Sequence, residues 1–348
     1  MSSQKKKFRV ALIGTDSLRG KEIKAILSVK KFPLSQIEFF DVDVEEEFSK
    51  LTEFRDEPRV IHHPTAAALE GMDLVFLAAD KETNRIYGRL AAEKNYRAID
   101  LSEAFSGQDD IPHVVAGVND SLLTSRRFPL IANPHPLTII LSSLFHRLIA
   151  KFGLEKAVVF ALQPVSAFDE SGIEELVGQS TAMLSSASLK KEVFPEQIAF
   201  NILSHTEAPD ANGFSSVERQ VVAEVKKVLD LPGLPLSLSM VQAPVFHTYS
   251  VMAYLELRAE VDIRDLEGLY KEGALFKLNP ASSSCAVSSI SVAGKEQIFI
   301  GQIKREESFP RAFWIWSVTD NLTRGSALNA LEIARILFDR KPGGRAAK

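Results

Sequence analysis

The residues best suited to chemistry gather at a few turns of this chain. Asn133-Pro134-His135-Pro136 follows the apolar run Phe128 to Ala132 and precedes the apolar stretch Leu137 to Ala150. The residue before a proline is pushed out of helical geometry, so the spacing predicts a strand ending at Ala132, a bend, and a helix starting near Pro136. A helix N-terminus presents free N–H groups and partial positive charge, which suits an anion or lowers the pKa of a thiol. Pro136 brings no nucleophile to that point, although it suits a first helical turn, where no N–H is needed. His135 beside it and His247 in Pro244-Val245-Phe246-His247 form a candidate base pair or metal pair; a metal would need one or two further ligands. A histidine at a turn serves equally well as a hydrogen-bonded structural residue. The chain has one cysteine, Cys285, in the serine-rich run Ala281 to Ala286.

These turns need a scaffold, and the hydrophobic patterning supplies one. An apolar strand over 8–14 ends in Gly14, a polar turn Thr15-Asp16-Ser17-Leu18-Arg19 leads to Gly20, and a helix spans 21–29 with Ile23, Ile26 and Leu27 on one face. A strand over 36–43 with acidic residues at its end completes a strand–turn–helix–strand unit of the dinucleotide-binding kind. The glycine fingerprint is degenerate, because Ser17 stands where a middle glycine is usual. Strands are expected over 59–61, 73–79, 97–102, 113–119 and 128–132, with a helix over 82–94. Strands alternating with helices predict a doubly wound sheet. Beyond the elbow the texture changes. A long strand over 157–166, helices over 172–184 and 216–229, two strands within 236–259, and strands over 297–304 and 312–318 predict an α+β domain with a mixed or antiparallel sheet. A last helix covers 326–338.

A chain of 348 residues has room for two domains. With 45% hydrophobic and 25% charged residues it reads as an ordinary globular protein, and a net charge of -4 gives no basic stripe for nucleic acid. One cysteine excludes an internal disulfide framework and fits a reducing, cytoplasmic setting. The apolar run after Lys5-Lys6-Lys7 is too short for a secretion signal, no segment is long enough to span a membrane, and the tail from Lys341 onward reads as frayed.

Several segments resemble the aspartate-semialdehyde dehydrogenase family. Trp316-Ser317-Val318-Thr319-Asp320-Asn321-Leu322-Thr323-Arg324-Gly325-Ser326-Ala327-Leu328-Asn329-Ala330 is similar to the family's W-x-x-x-D-N-L-x-K-G-A-A-L-N-A signature. Ile198-Ala199-Phe200-Asn201 resembles its I-A-F-N segment, Ala132-Asn133-Pro134 its S-N-P, and Gln163-Pro164-Val165-Ser166 its Q-A-V-S. The resemblance implies a Rossmann domain completed by the C-terminal helix (1–134 plus 325–348) and an inserted substrate and dimerisation domain (135–324). It also implies a homodimer formed through that second domain, and NADP as cofactor.

The family's chemistry uses a cysteine thiolate that attacks an acyl carbon, a histidine acid/base, and arginines that grip carboxylate and phosphate. A thioester needs an activated nucleophile, and arginine forks match both anions. Carried over position by position, the cysteine falls on Pro136, the histidine on Tyr249, and the arginines on Gln242 and Ser106. The lysine of the family's E-x-K helix falls on Gln220, while Glu218 and Gln163 are kept. The glycine-rich loop has become Ser166-Ala167-Phe168-Asp169, whose side chains, Phe168 above all, are expected to fill space left for substrate or nicotinamide. Each missing clamp removes a charge-assisted contact of about 1.5–3 kcal/mol. Cys285 falls in a variable loop and reads as non-catalytic.

Gly14, Thr15, Asp16, Ser17, Leu18, Asn133 and Asn321 stand at positions resembling the family's cofactor contacts. Asp16 and Ser17 crowd the pyrophosphate turn, and Asp41 and Asp43 repel a 2′-phosphate, so NAD fits better than NADP if a dinucleotide binds at all. Three readings follow. The first is a non-catalytic family member that binds a small-molecule or protein partner. The second is an active NAD(P)-dependent oxidoreductase with altered residues, resting on Gln163, Glu218, Asn133 and the cofactor-side motif. The third is a small-ligand or metal site built on His135 and His247.

Overall fold

A computed structural model describes residues 7–44, 50–185, 187–280 and 283–338. The expectations for Lys5 and Lys6, for Ala281 and Ser282 and for the tail from Lys341 lie outside the described residues. The described chain falls into two compact units, one running to Pro134 and resuming at Ala327, the other His135–Ser326.

The first unit runs β1 (Phe8–Ile13), α1 (Leu18–Val29), β2 (Leu34–Phe40), β3 (Lys50–Phe54), β4 (Glu57–His62), β5 (Leu74–Leu77), α2 (Lys81–Glu93), β6 (Arg97–Asp100), α3 (Leu122–Ser125) and β7 (Leu130–Ala132). Its seven-stranded sheet has the order β3-β4-β2-β1-β5-β6-β7 and is parallel except for the β3–β4 hairpin. Alternate residues of β1 serve two cores: Val10 and Leu12 face one layer, Ala11 and Ile13 the other. A strand covered on both faces reads as continuously apolar, and all of β5 is buried.

The second unit opens with α4 (Pro136–Phe152), then β8 (Leu154–Gln163), a short 3-10 turn at Val165–Phe168, α5 (Asp169–Ser185) and α6 (Ser216–Val228). It continues through β9 (Leu236–Gln242), β10 (Tyr249–Leu257), α7 (Ile263–Lys271), β11 (Phe276–Leu278), α8 (Ser289–Val292), β12 (Ile298–Arg305) and β13 (Ala312–Thr319). The six-stranded sheet is mixed, in the order β11-β12-β13-β10-β8-β9, with parallel pairs at both edges and antiparallel pairs between them. Its inner face puts Val159, Ala161, Val251, Ala253, Phe313 and Ile315 into one core with Leu137, Leu141 and Phe145 of α4 and Val221 and Val225 of α6. Its other face carries Val158 (48% exposed) and Phe160 (44%), with Tyr254 paired across strands to Val158 and Trp314. The last helix, α9 (Leu328–Phe338), belongs to the first unit, where Phe338 stacks on Phe8 at 3.9 Å between centroids.

Two expectations need correction, and one strand was not anticipated. Residues 113–119 form no strand, only a bridge from His113 to Ala132. The Asn119 side chain takes the Val115 N–H and donates to the His113 carbonyl, and the Asn329 side chain does the same for Ala116 N–H and Val114 carbonyl. Side-chain amides therefore satisfy backbone that a neighbouring strand would otherwise pair. The 59–61 strand is one arm of a hairpin whose other arm, β3, the patterning did not show. Finally, α1 begins at Leu18 rather than Lys21, because Ser17 caps it.

Candidate functional site

In the first unit, the turn after β1 rests on close backbone contact. A side chain on Gly14 (φ +86°) would put a Cβ 2.3 Å from the Ala79 nitrogen, and one on Gly20 would fall 1.9 Å from the Gly14 oxygen. Neither distance is sterically possible, so both glycines are required by packing. The Ser17 hydroxyl accepts the Gly20 N–H (2.9 Å) and donates to the Ala78 carbonyl (2.8 Å), which folds it into the turn as an N-cap. Buried Thr15 hydrogen-bonds the Phe40 carbonyl through its hydroxyl (3.1 Å), tying the turn to β2. Asp16 pairs with Lys50 at 2.5 Å and donates its backbone N–H to Asp41 Oδ2 at 3.1 Å. Burial and the neighbouring Asp16 charge push the Asp41 carboxyl up to about 6. Among the described residues no protein group takes its Oδ1.

Other expected residues of this unit serve the scaffold. Asn133 is buried; its N–H goes to the Asp100 carbonyl and its Oδ1 accepts from Asn329 (2.8 Å). Ser106 sits half-buried in the turn after Glu103, to whose carbonyl its N–H donates.

In the second unit, α4 begins at Pro136, as the spacing predicts, and its N-terminus is filled by the protein's own acceptors. His135 is the N-cap, its Nδ1 accepting the Leu137 N–H at 3.1 Å. The Glu224 carboxyl, 4% exposed, takes the His135 N–H (3.0 Å) and the Thr138 hydroxyl (2.7 Å) on Oε2, and the Gln220 amide (3.0 Å) on Oε1. Because Nδ1 accepts, the ring proton lies on Nε2, facing the Tyr249 hydroxyl at 3.4 Å. The two rings meet edge-on with centroids 5.7 Å apart, and Tyr249 is 1% exposed. Pro136 itself is backed by Gly325, where an added Cβ would come within 3.0 Å.

Among the described residues, His247 is not a partner of His135, and its buried Nδ1 has no partner. Among the described residues no group of three or more His, Cys, Asp or Glu side chains could hold a metal ion. Asn321 uses its amide internally, accepting the Thr248 N–H (2.9 Å) and donating to the Ser166 hydroxyl (3.0 Å). Cys285 is exposed.

The remaining expected residues share one cavity of about 290 Å³, lined by Gln163, Phe168, His205, Glu218, Met240, Gln242 and their neighbours. Phe168 does not fill it. The ring turns onto Phe194, edge to face at 5.0 Å, and forms part of the wall. Glu218 is committed twice, to the Ser215 N–H in a capping box (2.7 Å) and to the Met240 N–H of β9 (2.6 Å). Two residues of this unit escaped the sequence reading. Glu224 and Thr138 match no motif, and the only local signal was the spacing of Gln220 and Glu224 one helical turn apart.

Residues 9–125 match the family described as "Semialdehyde dehydrogenase, NAD binding domain", and residues 145–324 the one described as "Semialdehyde dehydrogenase, dimerisation domain". A curated relative, aspartate-semialdehyde dehydrogenase of Rickettsia bellii, is 27% identical over 335 residues, covering 96% of this chain and 98% of the relative. A solved structure of a probable aspartate-semialdehyde dehydrogenase from Pseudomonas aeruginosa superposes with a TM-score of 0.89 at 25% identity, over 96% of this chain and 99% of that one. Aspartate semialdehyde dehydrogenase II from Vibrio cholerae, solved as a complex with ASA, shares the fold at 24% identity and a TM-score of 0.88, over 95% and 98% of the two chains. Two matched domains in order, end-to-end coverage and a common fold settle the kinship: this chain belongs to the aspartate-semialdehyde dehydrogenase family.

Proposed function

We propose that this family member does not run the thiol-dependent acyl chemistry and acts as a ligand-binding protein. The observation that carries this reading is the filled N-terminus of α4. Pro136 supplies no nucleophile, and Glu224, His135 and Tyr249 occupy the donors and space around it. A nucleophilic mechanism needs an ionisable attacking group with a base in reach, and Pro136 cannot provide one. Gln242 and Tyr249 leave the positions of the clamp and the base without the charge or proton transfer those roles require.

Intact-mass spectrometry tests the proposal. With aspartate semialdehyde and NAD or NADP, but no phosphate to release an acyl group, the protein is expected to keep its unmodified mass. An acyl adduct on a side chain of the cavity or elbow would overturn the reading. A Cys285→Ser variant removes the exposed thiol as a source of incidental labelling.

The end-to-end similarity to named dehydrogenases favours a second reading, an oxidoreductase with altered residues; the same adduct experiment separates the two. If the first unit holds a dinucleotide, the residues present fit NAD. The N-terminus of α1 would hold the pyrophosphate, and the open Oδ1 of Asp41 would accept from a ribose hydroxyl. The 2′-phosphate of NADP would meet Asp41 and Asp16, with Lys50 already paired. Bound, that cofactor would supply hydride acceptance. For assembly we propose a homodimer through the second unit, on the outer sheet face that carries Val158, Phe160, Tyr254 and Trp314.

A further inference from the structure

We infer that Asn212-Gly213 is a site of spontaneous deamidation in the second unit, and that the Asp210 side chain is the latch that sets its rate. The modification turns one exposed amide into a carboxylate and requires neither cofactor nor partner.

Sequence and exposure single out the position. Asparagine is among the thermolabile side chains, because the backbone nitrogen of the next residue can attack its Cγ. A side chain on that next residue crowds the attack, and glycine has none. Of all the asparagines in the chain only Asn212 precedes a glycine. Asn212 and Gly213 are both exposed, and a Cβ added to Gly213 would meet nothing within 4 Å. Among the described residues no group hydrogen-bonds the Asn212 side-chain amide, so its Cγ is free to swing. In the reaction the Gly213 nitrogen gives its proton to solvent and bonds to Asn212 Cγ. The side-chain nitrogen takes a proton from solvent and leaves as ammonia, closing a cyclic succinimide. Water then opens the ring at one of its carbonyls, leaving aspartate or, where the chain now runs through Cβ and Cγ, isoaspartate. The net change is NH2 exchanged for OH, with no redox step.

Local geometry holds the reaction back. The Gly213 N–H donates to the Asp210 carbonyl (2.9 Å) and the Asp210 N–H to the Phe214 carbonyl (2.8 Å), with Gly213 in the left-handed region at φ +86°. The proton that Gly213 must lose is therefore tied to a carbonyl. Asp210 Oδ1 also accepts the Asn212 N–H (2.8 Å) and the Phe214 N–H (3.0 Å). Its Oδ2 pairs with Arg219 Nε (2.9 Å), whose guanidinium lies 4.1 Å from the Phe214 ring centroid. The Arg219 hydrogen bond holds the Asp210 carboxyl below its usual range, so the latch is ionised and closed near neutral pH. Attack thus proceeds through local opening of the 210–214 turn, at a rate that scales with the open population. Pro209, Gly213 and Ser215 belong to the wall of the cavity described above, so either product sets a carboxylate at its rim. Isoaspartate also adds a backbone atom, and the bonds of the turn cannot all re-form.

The full chain, held at mildly alkaline pH, is followed by peptide-mapping mass spectrometry with isoaspartyl-methyltransferase labelling. Conversion is expected at Asn212 ahead of every other asparagine, and to vanish there in Asn212→Gln, whose longer side chain closes the corresponding ring far more slowly. Unfolding in urea should speed conversion at Asn212 at least about tenfold, equivalent to an opening free energy of roughly 1.4 kcal/mol. In the folded chain Asp210→Ala should speed it about tenfold. Arg219→Met should act in the same direction by a smaller factor, and it keeps the test valid if Asp210→Ala fails to fold. Asn212 intact in the folded chain long after the unfolded chain has converted completely, or another asparagine converting first, would overturn the inference. So would equal rates with and without urea, or a wild-type rate in the folded latch variants.

Discussion

Two strand-to-helix turns, those leading into α1 and α4, meet the same local problem in opposite ways. Both bring the chain off a parallel strand of the seven-stranded sheet, β1 or β7, into a helix whose first N–H groups need acceptors. At α1 the turn is held by glycine contacts and one short N-cap, Ser17, and its first turn carries no acidic residue. At α4 the cap is an imidazole, the first helical residue is a proline, and a carboxyl from α6 sits against both the cap and Thr138. The first arrangement is compatible with an anion from outside. The second supplies its own. What separates a binding turn from a structural one is thus which partner satisfies the helix end.

Changes at each turn sharpen this contrast. The largest effect is expected for Glu224→Leu, which leaves the His135 N–H and the Thr138 hydroxyl without their buried acceptor. Urea unfolding should show a loss of about 3 kcal/mol, and a loss below about 1 kcal/mol would mean that Glu224 does not hold the elbow. Next comes dinucleotide choice at α1: calorimetry should find NAD at least about tenfold tighter than NADP, a difference of roughly 1.4 kcal/mol, and the reverse order would remove Asp41 from the site. Ser17→Ala loses a single cap and should cost about 1 kcal/mol, clearly less than Glu224→Leu.

An effect of similar size to the Ser17 cap, confined to one pH range, concerns Asp41. The folded-state pKa of Asp41, about 6, lies above its ordinary 3.8, so the fold favours the protonated form. Its destabilisation is absent below pH 3.8, grows as pH rises toward 6 and is complete above that. Asp41→Asn should therefore raise stability by about 1 kcal/mol at pH 7.5, after discounting for solvent screening, and leave it unchanged near pH 3.5. A variant equally stabilised at both pH values would place the cause elsewhere.

Much of the scaffold was legible because local signals and packing agree. Leu74–Leu77 is apolar throughout and wholly buried, and Asn133-Pro134 bends the chain where α4 then begins at Pro136. The hairpin arm β3 was invisible because it lies at the sheet edge, with little of Lys50–Phe54 buried, so no apolar alternation marks it. Residues 113–119 misled for the opposite reason: their apolar pattern is real, but Asn119 and Asn329 satisfy the backbone. At the candidate site, a proline at the first residue of α4 was legible in the sequence. The carboxyl that fills this helix end was not, since Glu224 lies 89 residues from His135 in sequence. Nor does composition show that Gln242 spends its nitrogen on two carbonyls and buries its oxygen without a partner among the described residues.

The sharpest contrast between the two turns is chemical, and a single-turnover measurement exposes it. Wild-type protein, in excess over aspartate semialdehyde and supplied with phosphate and either NAD or NADP, is followed by the absorbance of reduced nicotinamide. A closed elbow without a nucleophile predicts no reduced cofactor beyond the protein-free control. Formation of one equivalent of reduced nicotinamide per aldehyde would contradict it.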